Sequence, residues 1–155
     1  MNTNTHECKP EDEDKVAEAV IGAAYEVSNT LGAGFLEKVY ERALTRELVL
    51  RGLDLKCQVH YAITYKGQCV GEYVADMVVQ NQLLVELKCV ECFSNEHVAQ
   101  CINYLKASEL RLALLIKNPG SSGNGSSTDD SWPECRDTIL RCSFSRPPWP
   151  FLSTD

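Results

Sequence analysis

Apolar residues recur at helical spacing in two successive stretches near the start of the chain. Residues 14–31 carry them about one turn apart, at Val16, Val20, Ala24, Val27 and Leu31, and Gly32 follows as a stop signal. A second helix is predicted for residues 36–51, ending at Gly52, with a buried stripe formed by Leu36, Val39, Tyr40, Ala43, Leu44 and Leu48. The pattern therefore predicts two amphipathic helices in succession.

Three strand-like runs follow, at residues 58–65, 69–79 and 83–90. Lys66-Gly67-Gln68 and Gln80-Asn81-Gln82 supply the turns between them. Ser94 is a candidate N-cap for a helix over residues 95–108, and residues 111–117 form an apolar final strand. The order α-α-β-β-β-α-β predicts an α/β domain.

The composition changes sharply at Pro119. Residues 120–131 consist of Gly, Ser, Asn, Thr and Asp, which is typical of a flexible linker. Residues 132–155 hold four of the six prolines and both tryptophans, and residues 138–144 are a candidate for one short strand. We therefore expect an acidic tail at residues 1–13, a folded domain at 14–118, and a linker with a disordered tail at 119–155.

Net charge of −7 argues against nucleic-acid binding driven by bulk electrostatics, but the acidic excess lies near the two ends. Residues 15–118 carry eleven basic and twelve acidic side chains, so a local basic surface is compatible with this segment. The polar, acidic start does not resemble a signal or transit peptide, and no apolar run approaches a membrane span. We expect no membrane partner.

Eight cysteines raise the alternative of a disulfide scaffold. Cys57, Cys69, Cys89 and Cys101 lie inside strand or helix patterns, however, and we find no export signal. We interpret them as reduced core residues of a cytoplasmic protein, with a nuclear location left open.

Three charged residues interrupt the two apolar strands: Asp76 in one, and Glu86 and Lys88 in the next. Strand alternation places Glu86 and Lys88 on one face, and a hairpin centred on Asn81 places Asp76 opposite Glu86. Two carboxylates so close repel each other, and a divalent metal ion such as Mg²⁺ would offset that cost. The alternative is a buried salt bridge without catalytic function, since Glu-x-Lys alone is a weak pattern.

A second alternative is a zinc site, because Cys89-x2-Cys92-x4-His97-x3-Cys101 approaches the spacing of a zinc knuckle. Cys89 is expected on the face opposite Lys88, and His97 and Cys101 on the following helix. Four-ligand geometry would then require the end of the strand to unwind. We therefore prefer core thiols, with His97 near the start of the helix.

The residues around the charged triad resemble the PD-(D/E)XK nuclease superfamily over residues 12–118, and more closely its GxxExxY family. Gly34, Glu37 and Tyr40 match the motif that gives the family its name. Gln100 and Tyr104 are similar to the Q-x-x-x-Y motif of recombination-type exonucleases. Further similar stretches are Tyr65-Lys66-Gly67, residues 70–76, Val85-Glu86-Leu87-Lys88 and residues 97–106.

The resemblance implies a restriction-endonuclease-like α-β-β-β-α-β core, with a mixed central sheet flanked by helices. Asp76, Glu86 and Glu37 would bind Mg²⁺ or Mn²⁺, Lys88 would be the active-site lysine, and Gln100 and Tyr104 would contact the substrate or that lysine. The alternative for Glu37 is an exposed charge on its helix that pairs with neighbouring helix residues. The alternative for Gln100 and Tyr104 is a polar helix face packed on the sheet.

The function so implied is metal-dependent hydrolysis of phosphodiester bonds in DNA, with RNA left open. The alternative is a nuclease-fold binding or assembly protein, for example a homodimer, with little or no cleavage. The chain departs from the family after Ile116-Lys117-Asn118, where a basic closing segment is expected and low complexity follows. We expect this departure to leave a sheet edge uncovered.

Overall fold

The computed structural model describes residues 10–118 and 138–144, which form three helices and five strands. The helices are α1 (Pro10–Leu31), α2 (Glu37–Leu50) and α3 (Asn95–Ser108). The strands are β1 (Leu55–Tyr65), β2 (Gln68–Val79), β3 (Leu83–Cys89), β4 (Leu112–Asn118) and β5 (Ile139–Ser143). None of the helices in these two segments is long and apolar enough to span a membrane.

The strands form one mixed sheet in the order β1-β2-β3-β4-β5. β1, β2 and β3 are joined by short turns and pair antiparallel, as hairpins must. β3 and β4 pair in parallel, because α3 carries the chain back to the same end of the sheet. The α/β architecture with a mixed central sheet and flanking helices, predicted from the sequence, is confirmed.

Two hydrophobic clusters occupy the two faces of the sheet. The larger cluster packs α1 and α2 against one face and includes Leu83, Val85 and Leu87 of β3. The smaller packs α3 against the other face and includes Leu84 of the same strand. Both faces of β3 and β4 are covered, which explains why these strands are almost continuously apolar in sequence.

Helix α1 begins at Pro10, four residues before the predicted start. Proline suits the first turn of a helix, where its missing N–H costs no hydrogen bond. Glu11, Asp12 and Glu13 occupy the first turn, where carboxylates interact favourably with the helix dipole. The apolar periodicity therefore located the helix but missed its acidic first turn.

Strand β5 covers the outer edge of β4, so the expectation of an uncovered edge is wrong. Five residue pairs join the strands antiparallel, from Leu112↔Ser143 to Ile116↔Ile139. Cys142 and Leu140 of β5 also pack against the α3 cluster. The short strand suggested for residues 138–144 is present, and it fills the place that we expected to be empty.

Candidate active site

The candidate site lies where β2 and β3 separate. Their backbone pairing runs from Val79↔Leu83 to Met77↔Val85 and stops there. At the next position, side chains take over from backbone groups: the Leu87 N–H donates to Asp76 Oδ2 at 2.8 Å, and the Asp76 N–H donates to Glu86 Oε2 at 3.4 Å. The structure therefore brings Asp76 and Glu86 together across the opening between the two strands.

The other side of Asp76 is also released from regular pairing. β1 pairs with β2 at Cys57↔Met77 and at Val59↔Ala75, and the register omits Gln58 and Asp76 between them. Gln58 has a φ of 52°, in the left-handed region that non-glycine residues rarely adopt.

The faces of β2 change at the same point. Ala75 packs with the α3 cluster and Met77 with the α1–α2 cluster, although strand alternation would place them on one face. Asp76 thus occupies a local break in β2, and we call the opening between β2 and β3, with Asp76, Glu86 and Lys88, the strand fork.

Lys88 completes the strand fork on the β3 side. Its Nζ donates to Glu86 Oε1 at 2.9 Å, which places both side chains on the same face of β3. Glu86 is only 3% exposed, whereas the Lys88 side chain is 19% exposed. A buried carboxylate with one cationic partner and one acidic neighbour is costly without further compensation.

The electrostatics of the fork favour uptake of positive charge. Burial, followed by the charge of Asp76, raises the pKa of Glu86 to about 7. Burial also raises the pKa of Asp76, and the charges of Glu37 and Glu41 add to that effect, against the Leu87 hydrogen bond and Lys88. Burial alone would lower the pKa of Lys88, but its hydrogen bond with Glu86 and the surrounding carboxylates raise it.

Glu37 reaches the fork from the first turn of α2. Its Oε2 accepts the Cys89 N–H at 3.0 Å, so it joins the start of α2 to the end of β3. The side chain is half-buried, which contradicts the plainer explanation of an exposed helix charge paired along its own helix. Its charge contributes to the raised pKa of both Asp76 and Lys88.

Gly34 and Tyr40 position this turn. The buried Tyr40 hydroxyl donates to the Gly32 carbonyl at 2.6 Å and accepts the Phe35 N–H at 3.4 Å. Gly34 has a φ of 102°, a conformation that favours glycine. The three motif residues therefore have distinct local roles: Gly34 permits the turn, Tyr40 holds it, and Glu37 links it to β3.

Gln100 and Tyr104 approach the fork from α3, which covers the sheet face opposite to α1 and α2. The Gln100 Nε2 donates to the Tyr104 hydroxyl at 2.9 Å. Burial raises the pKa of Tyr104, and the charge of Glu86 adds to that effect, which places the phenol within electrostatic reach of the fork. Tyr104 also meets the Tyr73 ring edge-on, with centroids 5.2 Å apart.

Sequence reasoning missed Glu41, a carboxylate only 6% exposed one turn after Glu37. Lys38 Nζ donates to both of its oxygens, at 2.8 and 2.9 Å, and Gln58 Nε2 lies 3.3 Å from the nearer one. The available signal was the four-residue spacing from Glu37, which places both carboxylates on one face of α2.

The donor set fits a hard divalent cation. Within residues 10–118 and 138–144, no three His, Cys, Asp or Glu side chains converge tightly enough to hold a metal ion by themselves. Mg²⁺ needs less than that, because it commonly takes one or two carboxylates and completes its shell with water and substrate oxygens. Asp76 and Glu86 are two such carboxylates, and burial together with the charge of Asp76 raises the pKa of Glu86 to about 7, so a nearby cation would stabilise its charged form.

The zinc alternative does not fit the geometry. The Cys89 thiol lies 3.9 Å from the Phe35 carbonyl, and His97 Nδ1 accepts the Ser94 N–H within the capping box that starts α3. Cys92 is disulfide-bonded, and Cys101 is buried beside Cys142. The four residues of the spacing therefore have separate partners.

Two of the predicted core cysteines are in fact exposed. Cys57 and Cys69 lie on the surface, Cys89 is half-buried and Cys101 is buried, and all four are free thiols. Within the part of the chain that the structure describes, no helix covers the outer part of the β1–β2 hairpin, where residues 64–72 are all exposed.

Comparison with known proteins assigns the family. The mixed sheet, its flanking helices and the acidic and basic residues of the fork define a restriction-endonuclease-like α/β fold. The family model of the PD-(D/E)XK nuclease superfamily matches residues 14–123, well over half of the chain. The chain therefore belongs to the PD-(D/E)XK nuclease superfamily.

Solved structures give weaker likenesses. A crystal structure of SSO0001 aligns with 88% of this chain and 60% of its own length, with a TM-score of 0.43 and 16% identity. A phage-related exonuclease from Haemophilus somnus 129PT aligns over 91% and 74%, with a TM-score of 0.38 and 16% identity. With such low TM-scores, neither likeness supports an assignment. Comparison with curated sequences gave no significant match.

Proposed function

We propose that this chain is a divalent-metal-dependent nuclease that hydrolyses phosphodiester bonds in DNA, with RNA as a further substrate to be tested. The observation that carries the proposal is the strand fork, where Asp76, Glu86 and Lys88 meet at a point released from backbone pairing. Three partly compensated charges in buried strands cost stability, and such clusters of perturbed ionisable groups are concentrated at functional sites. The superfamily supports nucleic acid as the substrate class, and the Gly34, Glu37 and Tyr40 motif favours the GxxExxY family within it.

Each residue has a distinct proposed role. Asp76 and Glu86 would hold Mg²⁺ or Mn²⁺, with Glu37 as a third carboxylate at the rim. The bound metal would activate water and stabilise the charge that develops on the phosphoryl oxygens. Lys88 holds Glu86 in place through their hydrogen bond, and its ammonium group would neutralise charge on a phosphate bound at the fork.

Gln100 and Tyr104 would position the substrate on the α3 side of the fork. Their mutual hydrogen bond leaves the Tyr104 hydroxyl proton available for donation. A phenol keeps that proton at neutral pH, and burial raises the pKa of Tyr104 further. We therefore infer a hydrogen-bond donor to the phosphate or to groups bound there.

The direct test is a cleavage assay on single- and double-stranded DNA and RNA, with Mg²⁺, Mn²⁺ or EDTA. We expect cleavage by the wild type with metal alone, and a loss of about 10²–10³-fold in Lys88→Ala, the usual effect of removing one charge-stabilising donor. Lys15→Ala is the matched control, because the Lys15 side chain is 75% exposed on α1. If the wild type cuts no better than Lys88→Ala in Mn²⁺, the chain is instead a nuclease-fold binding or assembly protein.

Metal binding can be tested separately from cleavage. We expect Mg²⁺ or Mn²⁺ to raise the melting temperature of the wild type but not of Asp76→Ala, because a cation that binds only the folded state stabilises it. Asp54→Ala is the control, since Asp54 is an exposed aspartate next to β1. Equal stabilisation of all three proteins would place the metal elsewhere.

A further inference from the structure

A second concave surface lies beside the strand fork. It is an open groove of about 390 Å³ between α3 and the β1–β2 hairpin. Thr64, Tyr73, Asn103, Lys106 and Glu109 are its polar lining residues. None of the residues assigned above to the metal or to phosphate chemistry lines this groove, which we call the α3 groove.

The α3 groove is continuous with the site through two aromatic side chains. Tyr73 lines the groove, and its ring packs edge-on against Tyr104, which receives the Gln100 hydrogen bond. Along α3, Asn103 follows Gln100 by one turn, a rise of about 4.5 Å. A strand whose phosphate lies at the fork can therefore place its neighbouring nucleotide in the groove.

The chemistry of the groove suits a nucleobase better than a phosphate chain. Lys106 and Glu109 carry opposite formal charges, whereas a phosphate track requires an excess of positive side chains. Ala62, Ile63 and Ala107 supply apolar walls, and Tyr73 adds an aromatic ring. The exposed Asn103 amide offers both a donor and an acceptor for the edge of a base. Flat apolar walls with a few polar groups are the usual means of binding unpaired bases.

We propose that the α3 groove binds one unpaired nucleobase next to the scissile phosphodiester bond. The position of that bond rests on the proposed nuclease function. A base that is stacked and paired within a duplex cannot enter such a groove without leaving the helix. The substrate class is therefore single-stranded nucleic acid or a frayed strand end. Fully paired duplex with sealed ends is a poor ligand.

The test is an abasic scan in the Lys88→Ala background with Mg²⁺, in which cleavage is disabled. Short fluorescent oligonucleotides, each lacking one base, are titrated with the full chain, in DNA and RNA versions. We expect one position at which loss of the base weakens binding about tenfold, the usual contribution of one stacked base. The DNA and RNA arms then identify which of the two nucleic acids the groove prefers.

Two added substitutions show whether the groove is responsible. Ala107→Trp fills the groove, and Asn103→Leu removes its amide at an exposed position where misfolding is not expected. Both substitutions should weaken binding of the intact oligonucleotide. In both variants, loss of the base at the sensitive position should cause no further loss of affinity. Ala19→Trp is the matched control, since Ala19 is a half-buried alanine on α1, across the sheet, and it should retain the full penalty.

The outcomes separate this proposal from the nuclease function. Three results would each contradict base binding in the groove, even if the wild type cleaves DNA. They are the absence of any sensitive position, an unchanged loss of affinity at that position in both groove variants, and binding of sealed duplex that is as tight as binding of the single strand. If one position is sensitive to loss of its base and both groove variants abolish that sensitivity, the result supports base binding in the groove, even if the wild type cleaves nothing.

Discussion

The two faces of β3 differ in the kind of side chain that they bury. On the face toward α1 and α2, Leu83, Val85 and Leu87 are buried in a continuous apolar cluster. On the face toward α3, Leu84 is followed by Glu86 and Lys88, which bond to each other beside a break in the sheet. The residues alternate along the same backbone, so neighbouring substitutions should have opposite consequences.

This division explains how the fold tolerates the charges. β4 continues the sheet beside β3 through seven parallel residue pairs, and Leu87 is 1% exposed. The apolar face therefore anchors the strand, while on the face toward α3 the residues Glu86 and Lys88 contribute an ion pair in place of apolar contacts. We infer that the α1–α2 cluster offsets the cost of Asp76 and Glu86. The first two of the four predictions below test that inference, and the other two test the side chains around the strand fork.

The largest effect should come from the apolar face. Leu87→Ala removes a fully buried side chain and is expected to lower the free energy of unfolding by about 2–5 kcal/mol. The melting-temperature increase on adding Mn²⁺ should persist, because Leu87 contributes only its backbone N–H to Asp76. Urea denaturation with and without Mn²⁺ measures both quantities. Loss of the Mn²⁺ response in a folded variant would show that the two faces are not separable.

The charged face should respond to pH instead. The pKa of Glu86 is raised from 4.5 to about 7 in the folded protein, so the folded state binds more protons than the unfolded chain between those values. In EDTA, the free energy of unfolding should therefore fall as the pH rises through this window, by at most about 3 kcal/mol. Glu86→Gln should remove this contribution.

Denaturant titrations at several pH values, without metal, check the Glu86 prediction. Addition of Mn²⁺ should reduce the slope in the wild type, because the cation stabilises the charged carboxylate. If the free energy of unfolding depends on pH in the same way in the wild type and in Glu86→Gln, other groups cause the pH dependence.

Loss of the Tyr40 hydroxyl should have a smaller effect. Tyr40→Phe preserves the buried ring but removes the hydrogen bond to the Gly32 carbonyl, for a cost of about 0.5–1.5 kcal/mol. The turn that carries Glu37 should loosen. The Mn²⁺ concentration at half-saturation should therefore rise by more than the loss of folding stability explains. Tyr25→Phe is the control, because Tyr25 is 48% exposed on α1. Unaltered Mn²⁺ binding would separate the turn from the metal.

The smallest stability change is expected at Tyr104. Tyr104→Phe removes the acceptor of the Gln100 hydrogen bond and should cost no more than about 1 kcal/mol. Cleavage should fall more than stability does, because the hydroxyl is proposed to face the substrate. Comparing cleavage rates with urea midpoints tests this. A proportional loss of both would make Tyr104 a packing residue only.

Local sequence patterns predicted most of the helices and strands, because these elements depend on residues that are close together in the chain. The period of apolar residues located α1 and α2, the N-cap residue Ser94 located α3, and apolar runs bounded by turns located the four strands of the main segment. The hairpin at residues 80–82 set the register that brings Asp76 opposite Glu86, and Ser94 caps α3 as expected. Each of these features depends on neighbours within a few residues or on one tight turn.

Other features had no local signal. The left-handed Gln58, the burial of Glu41 and the pairing of β5 with β4 each depend on elements that are distant in sequence. Cys57 and Cys69 look like core residues in sequence but are exposed in the folded hairpin of β1 and β2. Burial is set by what packs on a strand, and a strand's own pattern does not reveal its cover.

The strand fork combines both kinds of information. Amino-acid order alone specified which residues carry charge, that Glu86 and Lys88 share a face, and the family to which they point, because alternation and motif spacing are properties of the chain. Folding was needed to part β2 from β3, to bring Glu37 to the Cys89 backbone and to raise the pKa of Glu86. Those properties arise from desolvation and from charges on separate elements, and neither exists until the helices and the sheet have packed together.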